Sequence, residues 1–288
     1  MAIAFPNLSP PGNLDPYILS GRSFAFPVTA CLWIEESALD ATFSWASQWP
    51  GNLKAQKGPI SLVLVTSVQS DSAEYAQLLK RLHEISGMLS IPSQLSLHVL
   101  HVYSPSGSSS NTYLNIARLL SRTVQVILFP GGPPTFQARD DQRIFLAHLN
   151  PKTSSSILNN ELQKSHSDKA ISPVILARNH PVWCTERYFI FGSRMLDWEE
   201  CLWQLQLESS GDVSVIESPV EFVASIVNTT SDVSSFAMKY RRRWSSKFRT
   251  EACALSSKRS QALDAFNKKV DKKELHWRKK FCRDVRLF

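Results

Sequence analysis

NTYLNIARLLSRTVQVILFPGGPP, residues 111–134, runs from a helix straight into a strand. Asn111 is placed to cap the helix, because its side-chain oxygen can accept an otherwise unpaired backbone N–H. Leu114, Ala117 and Leu120 follow at helical spacing. Val124, Val126 and Leu128 alternate with Gln125 and Ile127, which predicts a buried strand. Pro130, Gly131, Gly132, Pro133 and Pro134 stop that strand abruptly. Open α/β sheets bind ligands at the carboxyl ends of their strands, so Phe129–Gly132 is where function is to be sought.

The same alternation runs upstream. Val28–Ile34 (VTACLWI) predicts a first strand. Ser37 with Asp40 resembles a capping box, and Leu39, Phe43 and Ala46 form the inward stripe of a helix ending before Pro50-Gly51. Ile60–Thr66 (ISLVLVT) is almost wholly apolar, as a parallel strand buried on both faces should be. Asp71 or Ser72 caps a second helix with Tyr75, Leu78, Leu82 and Ile85 on one face. Leu95–Tyr103 (LSLHVLHVY) is a third strand, followed by the flexible, Ser-rich loop 104–110. The order β-α-β-α-β-α-β predicts an α/β fold with a doubly wound, mainly parallel sheet and helices on both faces. Strands 28–34, 60–66, 95–103 and 124–129 are expected to be neighbours. A generic α/β domain without a nucleotide site shares this pattern, since fold does not fix function.

The flanking regions are less regular. Residues 1–26 are rich in Pro, Gly, Ser and Asn and read as an irregular arm. Residues 137–172 read as loop with some helix around an apolar patch at 144–149. Pro173–Ala177, Val213–Ile216 and Val220–Val227 read as strands, and Asp197–Ser209 (DWEECLWQLQLES) as a helix with Asp197 at its N-cap. Three regions result: the arm 1–26, an α/β domain 27–231, and a basic helical segment 232–288 packing on it.

A chain of 288 residues can bury a sizeable core. No run approaches the roughly 18 apolar residues of a membrane-spanning helix, and MAIAFPNLSPPGNLDP lacks the basic and apolar regions of a signal peptide. The cysteines at 31, 184, 201, 253 and 282 form no CxxC pair, so neither a zinc site nor a disulfide framework is indicated, and their odd number leaves one thiol over. From Lys239 onward there are 17 Lys/Arg against 5 Asp/Glu, whereas the whole chain carries only +7, so the preceding residues are net acidic.

Several pieces, in order, resemble the fungal, LARGE-like branch of glycosyltransferase family 49. They are FPVTACLWIEES (26–37), SWASQWPG with GPISLVLVT (44–66), NTYLNIARLLSRTVQVILFPG (111–131), ERYFIFG with WEECLWQLQLESSGDVSVIESP (186–219) and KFRTEAC (247–253). The resemblance implies a GT-A-like fold, a nucleotide-sugar donor such as a uridine diphosphate sugar, a glycan acceptor and transfer of the sugar to a glycan hydroxyl. It implies donor-side roles for Asn111, Asn115, Arg118, Phe129, Gly131 and Gly132. It also implies a lumenal Golgi setting, although the family's membrane anchor is not seen in this sequence. Asn7 and Asn228 lie in Asn-x-Ser/Thr sequons.

The departures from the family concern the metal. Such enzymes carry Asp-x-Asp after this strand to hold a divalent cation on the donor diphosphate, and a His after a late strand. Here Phe129-Pro130-Gly131 stands in place of the carboxylates, and VIESPVEFVASIV (215–227) has no His. No metal or other cofactor is therefore expected. Asp140 and Asp141 are candidate substitutes or simply an exposed acidic loop. Arg118 and Arg122 could neutralise a diphosphate instead, or be surface arginines. In Asp197-Trp198-Glu199-Glu200, Glu199 or Glu200 could deprotonate an acceptor hydroxyl, or the acids could serve the helix dipole. A catalytically inactive relative, kept as a binding or scaffold domain, is the alternative.

The basic segment supports a different possibility, polyanion binding. KYRRRWSSKFR (239–249) and residues 268–286 interleave cations with Trp244, Phe248, Trp277 and Phe281. No nucleic-acid-binding motif accompanies them. If the segment only covers the domain, Trp244 and Phe248 are expected to be buried and the arginines exposed.

Overall fold

Strand residues of this chain turn alternately to opposite faces, and each face carries its own helices. The computed structural model describes residues 13–21, 28–49, 58–88, 94–102, 110–133, 155–160, 171–187, 194–218, 235–265 and 271–284. The strands are β1 (Leu14–Leu19), β2 (Val28–Glu35), β3 (Ile60–Thr66), β4 (Leu95–His101), β5 (Gln125–Leu128), β6 (Ser155–Asn160), β7 (Val174–Ala177) and β8 (Ser214–Ser218). The helices are α1 (Leu39–Gln48), α2 (Ala73–Met88), α3 (Ser110–Leu119), α4 (Arg194–Glu208), α5 (Ser235–Ala265) and α6 (Lys272–Asp284).

The 8-stranded sheet has the order β1-β4-β3-β2-β5-β7-β6-β8. Strands β4, β3, β2 and β5 are parallel neighbours, as the alternation predicts. The flanks make the sheet mixed: β1 is antiparallel to β4, β7 to β5 and β6 to β7, while β8 is parallel to β6. Ala30, Leu32, Leu62, Leu64 and Leu97 face α1 and α2, packing with Leu39, Phe43, Tyr75, Leu78 and Leu82. Cys31, Val63, Val65, Val126 and Leu128 face α3 and α4, packing with Leu114, Ala117, Trp198 and Leu205. Burying one such aliphatic side chain contributes about 1.5–3 kcal/mol, so the two layers fix the strand register.

Several local expectations are corrected. The arm expected to be irregular contains β1. Pro16 is tolerated because β1 lies at the sheet edge, and a register shift separates Asp15 from Leu19. At that shift Tyr17 takes φ 58° and its N–H donates to Nδ1 of His98 at 3.0 Å. The Ser-rich region read as loop contains β6, whose Ser155 and Ser156 are buried between β7 and β8. Helix α1 has no side-chain cap, and Glu36–Ala38 form a 3-10 turn where a capping box was expected. Ser72 does cap α2, accepting from the Tyr75 N–H at 3.1 Å. Helix α3 begins at Ser110, ahead of the expected cap Asn111. Val124 lies outside β5 and is 80% exposed. The apolar patch 144–149, Asp140, Asp141, the strand 220–227 and both sequons lie outside the described residues.

Four cysteines pair: Cys184 with Cys201, and Cys253 with Cys282, while Cys31 is free and buried. The sequence reading found no framework because the partners meet only through the packing of α4 and of α5 on α6. The basic segment is docked on the sheet domain. Phe248 is buried beneath the Arg187 guanidinium, 4.0 Å from its ring centroid, whereas Trp244 stays 46% exposed. Trp203 of α4 stacks on Phe281 of α6 at 5.3 Å, and Phe281 on Trp277 at 4.7 Å. Gly211 ends α4 at φ 82°, its N–H bonding the Gln206 carbonyl at 2.9 Å. A Cβ there would meet Trp277 at 2.7 Å, so glycine is required both for the turn and for α6 to approach.

Candidate functional site

The order of the strands reverses at β2. From β2 the chain steps outward to β3 and β4, and α3 then returns it to β5 on the other side of β2. The carboxyl ends of β2 and β5 thus flank the crevice where an open α/β sheet receives ligands. Pairing of the two strands stops at Cys31 opposite Leu128, and the Phe129 N–H donates to the Cys31 carbonyl at 3.2 Å. β2 runs on to Glu35 against Val65 of β3, so its edge from Leu32 borders the crevice. Trp33 on that edge rests against Tyr113 of α3, ring centroids 5.1 Å apart. Glu35 and Glu36 form the rim, and Glu36 accepts a hydrogen bond from the Thr66 hydroxyl at the end of β3.

The far side of the crevice is the turn after β5. Phe129 is core rather than lining: its ring meets Trp49 edge-on at 5.6 Å and Trp45 at 6.4 Å. The Pro130 carbonyl accepts from Nη2 of Arg194 at 3.1 Å. Gly131 lies in the turn, and Gly132 takes φ 94°, which a side chain would strain.

Asn111, Asn115 and Arg118 lie three and four residues apart, hence on one face of α3. All three are buried and reach the segment 177–187, and Asn111 also reaches α4. Asn111 accepts through Oδ1 from Arg194, and its N–H donates to Glu186. Asn115 Nδ2 donates to the Cys184 carbonyl at 2.6 Å. Arg118 donates to the carbonyls of Arg178 at 2.8 Å, Val182 at 2.7 Å, Ala177 at 3.5 Å and His180, and lies 4.5 Å over the Trp183 ring. Buried carbonyls outside the ladder, such as those of Val182 and Cys184, must be satisfied elsewhere, and this polar stripe does so. Burial lowers the Arg118 pKa to about 10, which still leaves it protonated at neutral pH. Arg122 lies before β5, at the opposite end of the strand from the crevice, where it donates to the Gly21 carbonyl at 3.1 Å and Ser20 Oγ at 2.9 Å. The structure therefore places Asn111 beside the turn after β5 and directs Asn115, Arg118 and Arg122 elsewhere.

Sequence reasoning missed the cluster behind that turn. Arg194 opens α4 and connects Pro130 and Asn111, with Glu186 Oε1 3.9 Å away. Asp197, expected as an N-cap, lies inside the first turn and accepts from the Arg187 N–H. Burial first, then the neighbouring Asp197, push the Glu186 carboxyl up to about 8, against the pull of Arg194. Burial likewise lowers Arg194, opposed by the two carboxylates. The available signal was the spacing of Glu186, Arg194 and Asp197 around an aromatic loop, which reads equally as surface charge.

Glu199 and Glu200 face α5. Glu200 is buried and accepts from Arg249 Nε at 3.1 Å, Arg249 Nη2 at 2.7 Å and Ser245 Oγ at 2.7 Å. The Glu199 side chain is 52% exposed, with Arg249 4.0 Å away. Glu200→Gln should therefore lower stability by about 2–3 kcal/mol, whereas Glu199→Gln should change it by less than about 0.5 kcal/mol. Urea denaturation of the two variants checks this, and equal losses would refute the assignment.

The turn after β5 presents no carboxylate to a hard divalent cation. Such cations are usually fixed by one or two carboxylates, whereas Phe129–Gly132 offer carbonyls alone, one of which already faces a guanidinium. Among the described residues no group of three or more His, Cys, Asp or Glu is arranged to hold a metal.

No family model matches the chain. No curated protein matches it. Among solved structures, it is similar to the mannosyltransferase PcManGT from Pyrobaculum calidifontis in complex with GDP-Man and Mn2+, with 11% identity over 87% of this chain and 68% of that chain and a TM-score of 0.38.

Proposed function

We propose that this chain is a glycosyltransferase-like domain that takes a nucleotide-sugar in the crevice between the carboxyl ends of β2 and β5 without a divalent cation. The observation that carries the reading is the turn after β5. It stands at the switch point of the parallel centre of the sheet, and it is held by Arg194 where carboxylates would hold a metal. The sequence resemblance to glycosyltransferase family 49 supports the donor class. In such a reaction an acceptor hydroxyl attacks the anomeric carbon, the bond to the nucleoside diphosphate breaks, and a base takes the hydroxyl proton. Of the two acids considered for that role, Glu199 keeps an exposed carboxylate, whereas Glu200 is committed to Arg249. That commitment favours a second reading, a domain that binds the donor and does not transfer it. Two disulfides support residence in an oxidising compartment, in keeping with the lumenal setting of the family. Among the described residues no helix is long and apolar enough to cross a membrane.

Calorimetry with a panel of nucleotide-sugars, with manganese and then with a chelator, tests the proposal. One-site binding that the chelator leaves unchanged is expected. Binding that requires manganese, or no binding to any nucleotide-sugar, would overturn it. Release of the free nucleotide on adding a glycan acceptor separates transfer from binding alone.

A further inference from the structure

A cavity of about 390 Å³ lies between α5 and α6, on elements that take no part in the crevice. Ser256, Ser257 and Ser260 line it from α5, and Arg278, Lys279 and Arg283 from α6. The Cys253–Cys282 disulfide ties the two walls together, and no Asp or Glu is among the lining residues.

The Arg278 guanidinium on this wall meets no carboxylate among the described residues. Arg278 donates to Ser210 Oγ at 2.9 Å, Ser260 Oγ at 2.6 Å and the Glu208 carbonyl at 3.3 Å, all neutral acceptors. The nearby Glu208 carboxylate is engaged by Arg259 at 3.1 Å. Among the described residues neither Arg278 nor Lys279 has an ion-pair partner. A second observation is independent of charge. Ser256 is 1% exposed, and its hydroxyl meets no hydrogen-bond partner. A buried hydroxyl left in that state costs about 1–3 kcal/mol, which a ligand oxygen would recover.

A fixed guanidinium, an unpaired ammonium and serine hydroxyls suit a tetrahedral oxyanion, whose several acceptor oxygens they can meet at once. The cavity also exceeds what a bare ion needs. Its volume falls in the range of small-molecule sites, about 300–1,000 Å³, and Ala254, Leu275 and the disulfide give it apolar wall. We propose that the α5–α6 cavity binds a small phosphate or sulfate monoester, with Lys279, Arg278 and Ser256 taking the anion and the apolar wall taking its organic group.

The test is isothermal titration of the full oxidised chain at low salt with inorganic phosphate, inorganic sulfate, glucose 6-phosphate and glucose 6-sulfate. One-site binding is expected, tighter for the esters than for the inorganic ions, and the tighter ester identifies phosphate or sulfate as the source. Lys279→Gln and Ser256→Val should each weaken it by about fivefold or more, the scale of one lost charge-assisted bond. Without ligand, Lys279→Gln should melt like the parent and Ser256→Val no lower, since it removes the unmet hydroxyl. Arg278 is left intact because it also holds the turn after α4. No saturable binding, esters no tighter than free ions, or affinity unchanged in both variants would each overturn the proposal.

Discussion

Arg118→Met is expected to destabilise the protein by about 3–5 kcal/mol, a large share of the roughly 5–15 kcal/mol that holds a typical domain folded. The guanidinium is fully buried and donates to carbonyls at Ala177, Arg178, His180 and Val182. Methionine fills much of the stem volume but removes all four bonds and leaves the buried Val182 carbonyl unmet, and an unmet buried acceptor costs about 1–3 kcal/mol. Lysine should rescue little, because a point ammonium cannot span four carbonyls set around a planar fork. The readout is the urea midpoint of Arg118→Met and Arg118→Lys beside the affinity for a nucleotide-sugar. A destabilised variant that keeps donor affinity in its folded fraction fits a clamp on the segment 177–187. A variant of parent stability that loses only donor binding would return Arg118 to the donor site.

The second expected result concerns pH. Glu186 carries a folded pKa raised to about 8, with burial as the main cause. Its contribution to stability is therefore full below the unfolded value near 4.5 and is lost as pH rises toward 8, because over that window the unfolded chain releases a proton that the folded chain retains. Glu186→Gln keeps the hydrogen-bonding shape and removes the titration. It should match the parent near pH 5 and exceed it by about 3 kcal/mol near pH 8.5. Arg194→Met should have the opposite trend. It leaves Glu186 buried beside Asp197 without the cation, a loss of about 3–5 kcal/mol that grows with pH as Glu186 is forced to ionise. Urea midpoints at the two pH values decide the matter. A Glu186→Gln variant destabilised equally at both would mean that Glu186 is ionised in the fold and paired with Arg194.

The sequence by itself determined the parallel centre of the sheet and its two helical layers. Those follow from local apolar periodicity, and ISLVLVT or the QVIL of β5 can be buried on both faces in few other ways. It also determined that Phe129–Gly132 lacks carboxylates, since composition needs no geometry. What the tertiary structure decided was the direction of every polar side chain. Asn111, Asn115 and Arg118 were legible as a polar stripe on α3, but their partners lie between 59 and 83 residues further along the chain. Nothing local distinguishes a stripe that binds a ligand from one that satisfies buried carbonyls. Glu200 was legible as an acid near a helix start, yet only the docking of α5 made it the partner of Arg249. The edge strand β1, the polar strand β6 and both disulfides were hidden for the same reason. Each is stabilised by distant partners, and its own residues carry too few apolar contacts to announce it.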